Sequence, residues 1–165
     1  MKRIVMAVVA ALSAFAGWAA DASVSPSSKT WTVPDVSSWH GANLLGLFNR
    51  APQKPDKRIR GTFEECYFRW LRDWGFNFAR LPMDYRYFMA TNDWTNLKKD
   101  GFAKVDQAVA WGRKYGVHVQ ICLHRSPGYT VFWWDPERQR LQTDAEPQAA
   151  FMRIWREFAR RYRGI

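Results

Sequence analysis

Three stretches of this chain repeat apolar residues at three- and four-residue steps, the spacing of one buried face on a helix. The first carries Phe63, Cys66, Tyr67, Trp70, Leu71 and Trp74; the second, about Lys104 to Tyr115, carries Val105, Ala108, Val109, Gly112 and Tyr115. The third carries Phe151, Ile154, Trp155, Phe158 and Tyr162. Thr62 with Glu65, and Thr143 with Glu146, have the spacing of capping boxes, and Pro147 is tolerable in a first helical turn. Each helix runs into an aromatic residue and a glycine: Trp74-Gly75, Tyr115-Gly116, and Tyr162 with Gly164. Glycine closes a helix because it adopts the left-handed conformation at little cost. Apolar runs follow the first two glycines, predicting strands near Phe76–Leu81 and Val117–Leu123, with an earlier one near Trp39–Leu45. Gly75 and Gly116 are 41 positions apart and Gly164 follows 48 later, the excess lying in the Arg125–Gln142 loop.

Strand–helix–strand units of this size imply a parallel sheet with right-handed crossovers. In the third strand, Val117, Val119, Ile121 and Leu123 share one face, suited to packing under helices. His118, Gln120, Cys122 and His124 share the other, which suits a barrel interior better than a helix layer. The expected fold is therefore α/β, a partial TIM (β/α)8 barrel with roughly the first three βα units in residues 37–165. A complete barrel of this kind takes ~250 residues. Gly164-Ile165 reads as the opening of another strand, so the sequence predicts a piece of a larger barrel.

Residues 1–22 read as a cleavable secretory signal: Lys2 and Arg3, an apolar core from Ile4 to Ala16, and small residues up to Ala22. The core is shorter than the ~20 residues needed to span a bilayer. A polar lead-in, 23–36, follows. The expected location is secreted or periplasmic, with no stable membrane anchor.

The formal charge is +10, which raises the possibility of a nucleic-acid or other anionic partner. The basic residues are dispersed over helix faces opposite the apolar stripes, Arg69, Arg72, Arg113, Lys114, Arg153, Arg156, Arg160 and Arg161 among them. Solvated helix faces fit this pattern better than a nucleic-acid surface. Cys66 and Cys122 are the only cysteines, one in a helix and one in a strand, and buried thiols suit them as well as a disulfide does. No metal-binding cluster, phosphate loop or cofactor motif is present, so no metal or cofactor is expected.

Arg80 and His124 fall at the C-terminal ends of successive strands, where barrel active sites are built. A guanidinium at Arg80 can hold a carboxylate with two parallel hydrogen bonds, or simply join a surface ion pair. His124 alone reads as readily as a structural histidine. Asn43 ends the first strand in the same way. The following loops are rich in aromatics: Tyr85, Tyr87, Phe88 and Trp94, then Tyr129, Phe132, Trp133 and Trp134. Flat aromatic faces suit the apolar faces of sugar rings, although about half of such residues would instead pack over the core. The candidate substrate-binding set is Asn43, Tyr85, Tyr129, Trp133 and Trp134. The acids Asp84, Asp93, Asp135, Glu137 and Asp144 form no convincing catalytic pair.

Gly41-Ala42-Asn43-Leu44, the run Gly75–Pro82 (GFNFARLP) and the run Gly116–His124 (GVHVQICLH) resemble the first three strands of glycoside hydrolase family 5, the cellulase-like TIM barrels. The likeness covers about Ser37 to Ile165. It implies a secreted retaining hydrolase of O-glycosidic bonds in β-glucans, with one glutamate as acid/base and another as nucleophile. Such enzymes hold the two carboxyls about 5–5.5 Å apart. Neither glutamate can be placed in this sequence. By the resemblance Arg80 would orient the nucleophile's carboxylate and His124 would hydrogen-bond near the sugar being cleaved, both supporting roles. The chain alone is thus expected to be inactive. The alternatives are a non-catalytic secreted carbohydrate-binding module derived from such a barrel, and a basic protein binding anionic polymers. Within the enzyme reading, mannan, xyloglucan or a glycolipid could replace cellulose.

Overall fold

The computed structural model describes residues 36–48, 61–130 and 136–164, all within the unit Val36–Ile165. The expected signal (1–22), the lead-in up to residue 35, and Trp133 and Trp134 lie outside the described residues. In chain order the elements are β1 (Gly41–Asn43), α1 (Glu65–Asp73), β2 (Phe78–Asp84), a 3-10 turn (Tyr85–Tyr87), β3 (Met89–Ala90), β4 (Asp93–Leu97), α2 (Lys99–Tyr115), β5 (His118–Arg125) and α3 (Ala145–Arg161). Strands β1, β2 and β5 form a parallel sheet in that order, with β1 in register Asn43↔Arg80 and β5 in register Arg80↔Gln120. This is the alternating pattern of a partial, unclosed (β/α)8 barrel. No described helix is long and apolar enough to cross a membrane.

The junctions follow from backbone stereochemistry. Gly75, Gly116 and Gly164 adopt φ of 80°, 69° and 85°, where a Cβ would crowd its own backbone. Gly116 caps α2 and turns the chain so that Val117 N donates back to Gly112 O at 2.8 Å. Gly112 itself lets α2 approach the sheet, since a Cβ there would lie 2.5 Å from Val119 Cγ2.

Strand β2 starts two residues later than expected and continues through Pro82 to Asp84. Arg80 O accepts from Leu44 N, and Asp84 N donates to Leu47 O, so the even residues turn their peptide groups toward β1. Strand β1 has ended at Asn43, so the N–H that Pro82 lacks is not needed for a β1 ladder bond. On the opposite face of the strand Ala79, Leu81 and Met83 are fully buried under the helices. Phe88, Phe102 and Phe158 join the β2–α2 connection to α2 and α3, their ring centroids 4.9 to 5.2 Å apart.

Neither capping box forms. Thr62 Oγ1 donates to Phe63 O at 3.1 Å, and α1 is flanked by Glu64 without a side-chain cap. Asp144 flanks α3, and its carboxylate turns back to accept from Arg140 N at 2.7 Å and Thr143 Oγ1 at 2.8 Å. Glu146 accepts instead from Gln139 Nε2. The apolar stripe of α1 is also displaced: Phe68 and Leu71 face the core, while Trp70 and Trp74 are exposed.

The β3–β4 hairpin was not legible in the sequence. It is held by Asp93, which accepts from Thr95 N at 2.9 Å and from Asn96 Nδ2 at 2.9 Å. It carries Trp94 into the core, and α2 begins at Lys99, five residues earlier than the periodicity suggests.

Candidate active-site face

Arg80, Asn43 and Cys122 meet on one face of the sheet. Arg80 Nη1 donates to Asn43 Oδ1 at 3.3 Å, and Nη2 donates to Cys122 Sγ at 2.9 Å. The register explains the meeting: Asn43 stands opposite Arg80 on β1, and Cys122 stands opposite Pro82 on β5, in phase with Gln120. Alternation puts Arg80 in phase with Phe78, as the sequence suggests. The cross-strand register makes this the polar side. Below it Trp39 stacks on both Phe78 and His118, at centroid distances of 5.1 and 4.9 Å.

His124 closes the same face. The pairing slips here: Met83 stands opposite Leu123 but Asp84 opposite Arg125, so β5 carries one residue more than β2 at this point. Such irregularities re-aim side chains at sheet ends. The His124 ring lies 4.9 Å from Phe48. Burial first, and then the nearby Arg80 charge, hold its imidazole below the ordinary range, which favours the neutral ring. Cys66 and Cys122 are both free thiols. The Arg80–Cys122 contact was not anticipated, although alternation already put Cys122 in phase with His124.

The aromatic candidates divide. Tyr129 is 40% exposed, in the turn where Ser126 and Tyr129 exchange backbone hydrogen bonds at 3.2 and 2.9 Å. Tyr85 is a correction: it is 0% exposed and cannot offer a ring to a sugar. Its ring meets Trp94 edge-on at 6.2 Å, and Oη donates to Glu137 Oε2 at 2.9 Å. Burial, with Glu137 beside it, pushes the phenol well above the ordinary range. Phe88 and Trp94 are buried too, because the hairpin folds this whole connection over the core.

Charged groups that the sequence placed in loops are sequestered around this rim. Asp84 is buried and accepts from Arg86 Nη2 at 2.6 Å and Nε at 2.9 Å. Glu137 also accepts from Arg125 Nε at 3.4 Å, so residue 137 is fastened to the ends of both β2 and β5. Leu141 N donates to Gly128 O at 2.9 Å, tying the two stems of the loop together. Among the described residues no carboxylate pairs with Arg80, and none forms a metal-binding cluster.

Residues 59–164 match the family model of cellulase, glycosyl hydrolase family 5. The chain is 32% identical over 122 residues to cellodextrinase A of Ruminococcus flavefaciens, covering 74% of this chain and 35% of that protein. It is 33% identical over 127 residues to endoglucanase C of Acetivibrio thermocellus, covering 77% and 36%. A solved glycoside hydrolase superposes with TM-score 0.67 at 29% identity, over 77% of this chain and 38% of its own. An endoglucanase of Pseudomonas stutzeri, at 20% identity, shares the fold with TM-score 0.57, over 81% of this chain and 40% of its own. This chain therefore spans little more than a third of the length of the relatives it matches. From the family match and these identities, the chain belongs to glycosyl hydrolase family 5, the cellulase family.

Proposed function

We propose that this polypeptide supplies the N-terminal part, residues 37–165, of a secreted retaining hydrolase of β-glucans, exported by a signal cleaved near Ala22. In this reading Arg80 and His124 support a reaction whose two glutamates are not in this sequence. The observation that carries it is the Arg80 guanidinium. It stands on the sheet face third in the seven-residue β2, opposite Asn43 where β1 ends, held by Asn43 and Cys122, with no carboxylate partner among the described residues. A cation so placed would bind the nucleophile's carboxylate bidentately and keep it ionised. A neutral His124 beside it can donate to or accept from a sugar hydroxyl without adding a second positive charge. Asn43 fixes the guanidinium plane. Tyr129, together with Trp133 and Trp134, would flank the glycan.

Held alone, the chain has the setting of the site without its acid and base, and should hydrolyse nothing. The test is reducing-end release from a soluble β-glucan by the purified chain. Turnover above background that disappears in Asp135→Asn would refute the assignment of the chemistry to glutamates outside this sequence. The exposed Tyr129 favours one further possibility, retention of glycan affinity without hydrolysis. Calorimetric titration with cello-oligosaccharides would detect it as binding weakened by Trp133→Ala and Trp134→Ala.

A further inference from the structure

Arg80 stands third in the seven-residue β2, four residues short of its end at Asp84. Its neighbours in register are Asn43 on β1 and Gln120 on β5. A guanidinium lying straight across the sheet could bond to both of them. It bonds to one: Nη1 donates to Asn43 Oδ1 at 3.3 Å. On the other side it passes over Gln120, and Nη2 donates to Cys122 Sγ at 2.9 Å. Cys122 is a free, half-buried thiol opposite Pro82, two residues nearer the strand ends, a step of about 6.6 Å along the strand. The same step leads toward His124, whose imidazole feels the Arg80 charge. The thiol thus marks the direction in which the Arg80 side chain is drawn.

A cysteine sulfur is a weak acceptor, and neither it nor the Asn43 amide is a carboxylate. The guanidinium has five N–H groups, of which these two contacts use two. The other three make no hydrogen bond to a described residue. A carboxylate at position 122 would instead occupy the fork bidentately and hold it as a closed ion pair. We propose that Cys122 is the positioning residue of Arg80: its sulfur draws the guanidinium toward the strand ends while leaving the cation open to an incoming carboxylate. Asn43 sets the plane of the group, and Cys122 sets its reach. The inference deepens the hydrolase reading, on which the identity of that carboxylate rests; the aim of the side chain does not depend on it.

The test is NMR on the chain labelled with heavy nitrogen in arginine and histidine, the Arg80 resonances being assigned by their loss in Arg80→Gln. With both Nη groups held, rotation of the guanidinium is slowed, so the parent chain should show two separate Arg80 Nη resonances. Cys122→Ala should merge them, and Cys122→Ser, which restores an acceptor, should separate them again. The His124 titration is a second readout. When Cys122→Ala lets the guanidinium fall back, the His124 midpoint should rise toward its value in Arg80→Gln, and Cys122→Ser should return it. In an Arg80→Gln background Cys122→Ala should leave the midpoint unmoved, whereas a change of packing alone would shift it there too. Circular dichroism checks the fold of each variant. Merged Nη resonances in the parent chain would overturn the proposal with no variant needed. So would a His124 midpoint that ignores Cys122→Ala, or that moves equally in both backgrounds. These results would leave the hydrolase reading standing, and turnover lost in Asp135→Asn would strike that reading while leaving the aim of Arg80 intact.

Discussion

Removing the Tyr85 hydroxyl tests how the rim of the sheet is held. Its ring is fully buried, so Tyr85→Phe keeps the packing and deletes one hydrogen bond, 2.9 Å from Oη to the Glu137 carboxylate. Hydrogen bonds to charged groups contribute ~1.5–3 kcal/mol, and a carboxylate losing a donor in a dry site falls in that range. Glu137→Ala should cost more. The Arg125 and Glu137 side chains are 3% and 8% exposed, and truncating one leaves a buried cation short of its counter-ion, a loss of ~3–5 kcal/mol. Once Glu137 is gone the hydroxyl has lost its acceptor, so Tyr85→Phe should then cost much less. The double variant should fall short of the sum of the singles by ~1–2 kcal/mol, as expected for residues in one network. Urea unfolding followed by circular dichroism, with a common slope across the four proteins, supplies all the differences. A Tyr85→Phe cost below ~0.5 kcal/mol with additive doubles would refute the reasoning, since a hydrogen bond to a charged group should not cost so little.

The neutral His124 ring gives a pH dependence. Its folded value lies below the ordinary 6.5, so this contribution to stability is fully present above pH 6.5 and is lost as pH falls through the lowered value. NMR titration should find it there, and Arg80→Gln should raise it only partly, because burial is the larger cause; an unchanged value would remove Arg80 from its surroundings. Gly112→Ala should destabilise by ~1–2 kcal/mol, the crowding against Val119 Cγ2 at 2.5 Å and Val117 O at 2.7 Å exceeding the ~1 kcal/mol gain in helix propensity. A neutral or stabilising result in thermal melts would mean that α2 does not lie this close to the sheet. Gly116→Ala should cost ~1–2 kcal/mol through its φ of 69°, measured the same way.

The helices and parallel strands were legible because their signals are local. The 3.6-residue rhythm of α2 and α3 and the glycines that end helices need no knowledge of distant residues. The failures were non-local. Tyr85, Phe88 and Trp94 look like loop aromatics until the β3–β4 hairpin folds them inward, and that hairpin rests on side-chain bonds from Asp93. At α3 the capping box is replaced because Thr143 donates to Asp144, which flanks the helix in its place; at α1 Thr62 donates to Phe63 O instead. On α1, Phe68 took the core position and displaced the tryptophans, because the helix faces two neighbours, and periodicity cannot say which side of a stripe meets the sheet. For the candidate site, Asn43 and His124 were found from strand-end position; Arg80 was expected there too, but β2 runs on to Asp84, and Arg80 reaches the site through its register with Asn43. The Arg80–Cys122 contact and the sequestered Asp84, Arg125 and Glu137 depend on register between strands far apart in the chain.

The one-residue slip after Leu123 has a structural consequence. A pleated strand can send only alternate side chains upward to one face, which would force a choice between an imidazole and the guanidinium that anchors residue 137. Inserting a spacer at position 124 lets β5 restart its phase, so Arg125 lines up with Asp84 while His124 keeps its place near Arg80. Deleting that single position would leave Arg125 in line with Asp84 and strip the sheet face of its imidazole.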